Sequence, residues 1–307
     1  MAPIPCRNFH GVLCKMGGTE INMEKNKLVT WLFKTDAVRV CPENKPFWYT
    51  SSKIGPYYIN THFLYGSEEK ANGLLKVIDV CKENRLECSE VVLELTRKNF
   101  ETDEIYRGLI LSMCEYIRSN FDMKKISYLS GGERRDWFFS LIIADILKLP
   151  HITIFKDLTA VLFQNGVSSE VQDIKNADVL HIADIITEAS SYTRAWIPAI
   201  QALNGNLKYS LVVIDRLQGG AEKLNGAGVE SHALMNVDKE LFDGALEAAH
   251  ITYEQHKMLR NYLEKPTETM RTFLLEHPEF LENSLKSDSR TAERAKICIE
   301  QNIYGLA

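Results

Sequence analysis

Apolar residues along this chain recur first at helical spacing, then at strand spacing, then at helical spacing again. Leu28, Trp31 and Leu32 predict a short first helix, and Val38 and Val40 an extended piece closed by Pro42 and Pro46. From 47 to 64 the aromatic and β-branched residues predict a hairpin that turns near Gly55-Pro56. Ser67 followed by Glu68 and Glu69 is a helix start, and Leu74, Leu75, Ile78 and Cys81 then share one helical face. Ile105, Leu109, Met113 and Ile117 repeat that pattern in a second helix. Between 125 and 214 strands alternate with helices, which predicts a parallel sheet with strands at 126–129, 152–155, 179–182 and 211–214. After Val237 only helices are expected, interrupted at Pro266, Pro278 and 287–290, with Met270, Phe273, Leu274, Leu281 and Leu285 as a core stripe. No internal repeat or low-complexity tract interrupts this order.

The pattern divides the chain into an N-terminal arm (1–26), an α/β domain (27–245) and a helical extension (246–307). At 307 residues, 45% hydrophobic and 25% charged, it has the composition of a folded globular protein. No apolar run approaches the roughly 20 residues of a membrane span, and the first residues lack the apolar core of a secretory signal, so a cytoplasmic protein without a membrane partner is expected. A net charge of -5 supplies no attraction for nucleic acid. Seven scattered cysteines are read as reduced thiols. Cys6, His10 and Cys14, four apart, have the chemistry of zinc ligands but match no standard finger spacing, so free thiols and no bound metal are expected.

In an open parallel sheet, ligands sit where strands end and helices begin, because free N–H groups there favour anions. Three such ends are legible. The first is Ser130-Gly131-Gly132-Glu133, where two glycines permit close backbone approach to a phosphate, although a Gly-Gly turn is equally a mere tight connection. The second runs from Val179 through Ala183-Asp184-Ile185-Ile186-Thr187-Glu188-Ala189-Ser190-Ser191, and the third is Ile214-Asp215-Arg216. His181, inside an apolar strand, is read as a hydrogen-bonded core imidazole.

The second segment is similar to the diphosphate-sugar signature of type I phosphoribosyltransferases, and the third to the Asp-Arg strand end of their orotate branch. Ser51-Ser52-Lys53-Ile54-Gly55-Pro56-Tyr57-Tyr58-Ile59-Asn60 resembles the turn before Pro, two aromatics and Asn in the same enzymes. The resemblance covers about 28–245, in order. It implies a parallel sheet flanked by helices, an N-terminal hood hairpin, and transfer of the ribosyl phosphate of phosphoribosyl diphosphate, with Mg2+, to a carboxylated pyrimidine. It also implies a two-fold homodimer, because the family's mobile loop reaches across the subunit interface.

Carried over by resemblance, Thr187 and Arg216 hold the base carboxylate, with Lys53, Tyr57 and Tyr58 on the base side. Asp184 faces the ribose hydroxyls, Glu188, Ala189, Ser190 and Ser191 form the phosphate loop, and Lys156 remains from the catalytic loop. The plainer alternative for Arg216 is an ion pair with Glu222. The chain also departs from the pattern. Ala183 replaces one ribose-binding acid, Glu188 and Ala189 stand in the phosphate loop, Thr159 holds the place of the catalytic Lys, and Thr50 that of the base-facing Lys. A carboxylate about 4 Å from a phosphate costs on the order of 4 kcal/mol per unit charge at an effective dielectric near 20. Three readings follow: an active transferase, a ligand-binding regulator or partner subunit that no longer transfers, and an enzyme with another donor or a hydrolytic reaction.

Overall fold

The computed structural model describes residues 19–306. Its helices are α1 (Thr19–Lys34), α2 (Glu68–Cys81), α3 (Arg85–Thr102), α4 (Glu104–Asn120), α5 (Trp137–Leu147), α6 (Ile197–Ala202), α7 (Gly220–Gly226), α8 (Lys239–Glu247), α9 (Tyr253–Glu264), α10 (Pro266–Glu276), α11 (Glu279–Leu285) and α12 (Ser289–Glu300). Its strands are β1 (Val38–Val40), β2 (Phe47–Trp48), β3 (Ile54–Gly55), β4 (Tyr57–Ile59), β5 (Tyr128–Gly132), β6 (His151–Ile154), β7 (Ala160–Gln164), β8 (Val167–Glu170), β9 (Asp178–Ile186), β10 (Asn206–Asp215) and β11 (Glu230–Asn236). The first helix opens at Thr19, inside the segment expected to be an arm. Cys6, His10 and Cys14 lie outside the described residues.

The central sheet has the order β11-β10-β9-β5-β6-β7-β8, parallel from β11 through β6 and antiparallel at β7 and β8. This is the expected α/β class. Strand alternation splits the core in two. Leu180 and Ile182 face a layer built from α3, α4 and α5, with Tyr106, Ile110, Trp137 and Phe138 fully buried. Val179 and Ala183 face the opposite layer, which holds Trp196, Ile200 and Leu224. After β5 the chain lays β6 on one side and later returns to lay β9 on the other. The ends of β5 and β9 therefore form the switch point where open α/β sheets bind ligands.

The N-terminal hairpin differs in detail from the expectation. β2 pairs with β3 across a turn at 49–53, in which Lys53 O accepts from Tyr49 N at 2.8 Å, and β4 pairs separately with β1. Pro56, which has no N–H to donate, marks the passage from one ladder to the other and not a turn tip. Gly55 is required because a Cβ there would lie 2.2 Å from the Tyr49 hydroxyl.

The helical extension packs onto this hairpin. Leu259 of α9 joins the main core, while Met270, Leu274, Cys298 and Tyr304 enclose Ile54. Ile54 N–H donates to Tyr304 Oη at 2.8 Å, Trp48 Nε1 to Ser284 Oγ at 3.0 Å, and Arg294 Nη1 to the Trp48 carbonyl at 3.0 Å. The tail thus satisfies backbone groups that a two-stranded hairpin leaves open. Among the described residues no helix is long and apolar enough to cross a membrane.

Candidate functional site

A cavity of about 470 Å³ opens at the switch point. Glu133, Arg134, Arg135 and Asp136 line it from the end of β5, Lys156 from the end of β6, and Ala183 through Tyr192, with Trp196, from the end of β9 and the helix that follows. Buried Asp136 ties the two central strand ends together: its carboxylate accepts from Gly132 N at 3.0 Å and from Asp184 N at 3.1 Å. His181 Nε2 lies 3.4 Å from the same carboxylate without hydrogen-bond alignment, and its Nδ1 bonds Ser130 Oγ at 2.9 Å. His181 is therefore a bonded core imidazole, as its apolar strand suggests.

Asp184 is 7% exposed; one carboxylate oxygen accepts from Ile185 N at 2.8 Å, and Oδ2 has no hydrogen-bond partner. Burial, and then the neighbouring Asp136 carboxylate, push its pKa up to about 7, against the pull of the Arg135 guanidinium. A buried acceptor left open at a cavity wall is positioned to receive a ligand hydroxyl.

Beyond β9 the loop Thr187-Glu188-Ala189 leads into a helical run whose turn Tyr192–Trp196 is π-wound before α6. The wide turn brings Tyr192 and Trp196 together onto His181 and lets Tyr192 Oη bond Ser210 Oγ at 2.6 Å. The first N–H groups of this run, at Ser190 and Ser191, have no partner within the helix and border the cavity. Ala189 is buried at φ 52, the left-handed conformation that glycine adopts without strain. The loop thus keeps a glycine-type backbone after losing the glycine. Glu188 lines the cavity, is exposed, and has no charge partner among the described residues.

Two cations at the rim, Arg135 and Lys156, are exposed and free of ion pairs among the described residues. Arg134 is paired with Asp79, and Glu133 with Lys82 at 3.1 Å. The other Glu133 oxygen accepts from Lys156 N at 3.1 Å.

Ser130, Gly131 and Gly132 do not line the cavity; they are buried in β5 beneath it. In the fold the two glycines serve close packing. A Cβ on Gly131 would lie 2.2 Å from Ser140 Oγ, and one on Gly132 2.2 Å from the Trp196 ring. Gly132→Ala is accordingly expected to destabilise the fold by about 2 kcal/mol, read as a lower midpoint of urea unfolding with unchanged slope.

The base-side residues form a second group. Asp215 pairs with Ile186 in the sheet and Arg216 N donates to Ile186 O at 3.0 Å, so Thr187 and Arg216 leave the sheet side by side. The Arg216 guanidinium lies 6.0 Å from the centre of the Tyr57 ring, and its field reaches Tyr262 and Tyr49, whose hydroxyl donates to the Tyr57 carbonyl at 2.6 Å. Arg216 forms no ion pair with Glu222 or any other carboxylate among the described residues, and its buried Nε has no partner. Tyr57 is buried against Phe242 and Tyr262, while Tyr58 and Lys53 are exposed on the hairpin.

The stretch equated with the mobile loop is a tight β6–β7 hairpin closed by Phe155 N to Thr159 O at 2.9 Å. Arg85 clasps both Asp157 and Thr159 and holds the Asp157 pKa down to about 2. Asp136, Arg135, Tyr49 and Tyr262 were not foreseen, since their roles depend on strand ends and helices brought together from distant positions.

No protein-family model matches the chain. A 98-residue stretch, 31% of the chain, is 33% identical to the orotate phosphoribosyltransferase of Saccharolobus solfataricus, and the match spans about half (48%) of that relative's length. The fold is similar to that of Leishmania donovani UMP synthase (TM-score 0.52, 14% identity, 81% of this chain and 43% of that one). It is likewise similar to the orotate phosphoribosyltransferase of Francisella tularensis (TM-score 0.50, 15% identity, 77% and 97%). At these identities the structural likeness speaks for the fold.

Proposed function

We propose that this chain is an orotate phosphoribosyltransferase-like protein of the type I phosphoribosyltransferase family that binds a carboxylated pyrimidine or its nucleotide and has lost most of the capacity for phosphoribosyl transfer. The observation that carries this reading is Arg216. A half-buried guanidinium without a carboxylate, one of whose donors is buried and unsatisfied, stands beside Thr187. Leaving such a donor unpaired costs about 1–3 kcal/mol, which a planar carboxylate would recover through two parallel hydrogen bonds. Tyr57, Tyr49 and Tyr262 supply an aromatic flank for the ring.

The sugar and phosphate half supports binding better than transfer. Asp184 offers one carboxylate oxygen to ribose hydroxyls, Ser190 and Ser191 offer N–H groups to a phosphate, and Arg135 and Lys156 offer charge at the rim. Among the described residues no group of three acidic, His or Cys side chains could hold a metal. Mg2+ would therefore be held mainly by the diphosphate of a bound phosphoribosyl diphosphate. It would there offset diphosphate charge, with Asp184 left to orient the sugar.

Transfer needs cations that stabilise charge building on the leaving diphosphate. By the resemblance Thr159 stands in that place, and it is held by Arg85, which favours a ligand-binding regulator, or a partner subunit of an active transferase, over a free-standing enzyme. A homodimer belongs to this proposal on the resemblance alone.

The test is an absorbance assay of orotate consumption with phosphoribosyl diphosphate and Mg2+. No turnover above background is expected, and rates of roughly 1 s⁻¹ or more would make the chain a working transferase. Glu188→Thr combined with Ala189→Gly is expected to tighten phosphoribosyl diphosphate binding about tenfold by calorimetry, because it removes a rim carboxylate and relaxes a left-handed alanine. An unchanged affinity would mean that the backbone of the loop, and not its side chains, disfavours the donor.

A further inference from the structure

The turn from α2 to α3 carries a cysteine pair that the site described above does not use. Cys81, the last residue of α2, is half-buried, Cys88 in the first turns of α3 is fully buried, and their sulfur atoms lie 3.2 Å apart. A disulfide bond measures about 2.05 Å, so a movement of roughly 1 Å joins them. The hydrogen bond from Cys88 holds the Cys81 thiol below its ordinary range, and the same contact together with burial pushes Cys88 up. Cys81 is thus the accessible nucleophile and Cys88 the resolving thiol. Cys41, Cys114 and Cys298 are buried and have no cysteine neighbour among the described residues.

Two residues between the two sulfurs brace the rim of the cavity without lining it. Lys82 neutralises Glu133 at its rim, at 3.1 Å, and Arg85 holds Asp157 and Thr159 of the β6–β7 hairpin that presents Lys156. We propose that Cys81 and Cys88 are a reversible disulfide-forming modification site, and that its oxidation redraws the turn bearing Lys82 and Arg85 and weakens anion binding in the cavity.

The oxidant is a low-molecular-weight disulfide. The Cys81 thiolate attacks one of its sulfurs, forming a mixed disulfide and expelling a thiolate that takes up a proton. Cys88 then loses its proton and attacks Cys81 Sγ, expelling the second thiolate. Two protein thiols are oxidised and one small disulfide is reduced to two thiols. With the turn drawn toward the new bond, Lys82 moves off Glu133, and an uncompensated carboxylate then faces the anion site.

The part concerning the cavity rests on the binding role proposed above; the chemistry at sulfur does not. The reduced full chain is equilibrated with graded ratios of oxidised to reduced glutathione, quenched by alkylation and mapped by mass spectrometry. Inorganic pyrophosphate is titrated calorimetrically into the reduced and oxidised samples. The expected result is a Cys81–Cys88 cross-linked peptide that dithiothreitol reverses, with pyrophosphate affinity lowered about threefold or more on oxidation in the wild type and unchanged in Cys81→Ser. A Cys81 that stays alkylatable, or that stops as a glutathione adduct, overturns the disulfide site. A cross-link with unaltered pyrophosphate affinity overturns its link to the cavity. If the reduced protein does not bind pyrophosphate at all, the reading of the cavity fails, and the peptide map alone decides the disulfide.

Discussion

Arg216→Gln is expected to weaken orotidine monophosphate binding by at least about 100-fold, or roughly 2.7 kcal/mol, while changing uridine monophosphate binding by no more than about threefold. The two nucleotides differ only by the carboxylate, so the contrast isolates the group that Arg216 would meet. Gln keeps a polar amide and part of the side-chain volume but is shorter and lacks the charge and the paired N–H fork. Arg216 has no carboxylate partner among the described residues, and its buried Nε is already unsatisfied, so the variant should unfold within about 0.5 kcal/mol of wild type. Loss of ligand without loss of stability separates a binding role from a scaffolding one. An equal loss for both nucleotides would show that the guanidinium acts only as a general positive charge.

Asp184→Asn should raise stability and abolish sugar binding together. In the folded chain burial and Asp136 push the Asp184 pKa from an ordinary value of 3.8 up to about 7. The folded state therefore binds this proton more tightly than the unfolded chain does. Its contribution to stability is complete below about pH 4, drains away as pH rises to about 7, and stays lost above that. At about 1.4 kcal/mol per pH unit, over a rise of roughly three units, ionised Asp184 costs on the order of 4 kcal/mol at pH 8. Asn removes the charge, can still accept from Ile185 N, and can donate to Asp136. Urea titrations should show the variant more stable by about that amount at pH 8 and equal to wild type below pH 4. Ribose 5-phosphate binding, if wild type shows it, should fall below detection in the variant. A wild-type stability that does not decline between pH 4 and 7 would contradict the buried, strained carboxylate.

Much of the scaffold was legible because apolar periodicity follows burial. Leu109, Met113 and Ile117 mark α4, and the runs at 152–155, 179–182 and 211–214 mark three strands of the sheet. α3 was not legible, because its buried face includes Ser89, Thr96 and Asn99, which blur the period although Ser89 bonds Thr153 at 2.8 Å and Asn99 bonds the Tyr65 carbonyl at 2.7 Å. β8 has a largely exposed edge with little apolar signal, and β11 is poor in β-branched residues. The hairpin turn was set near Gly55-Pro56 because Gly and Pro read as turn residues, yet there they serve close packing and a change of ladder.

At the site, Asp184, Thr187 and Arg216 lie at strand ends where the motifs put them. Ser130, Gly131 and Gly132 do not line the cavity, since the glycines answer to Ser140 and Trp196. Asp136 had no local signature: its function is to join two amides 52 residues apart in sequence, Gly132 N and Asp184 N. Tyr262 belongs to a tail whose apolar stripe reads as core, and only tertiary packing brings its hydroxyl to Tyr49 and the field of Arg216.

Calorimetric titration of the purified full chain with orotidine monophosphate, and in parallel with phosphoribosyl diphosphate plus Mg2+, tests the central claim most directly. Retained recognition of the carboxylated base with an impaired donor site predicts that the nucleotide binds at least about tenfold more tightly than the donor. Tight donor binding with no heat from orotidine monophosphate would contradict it.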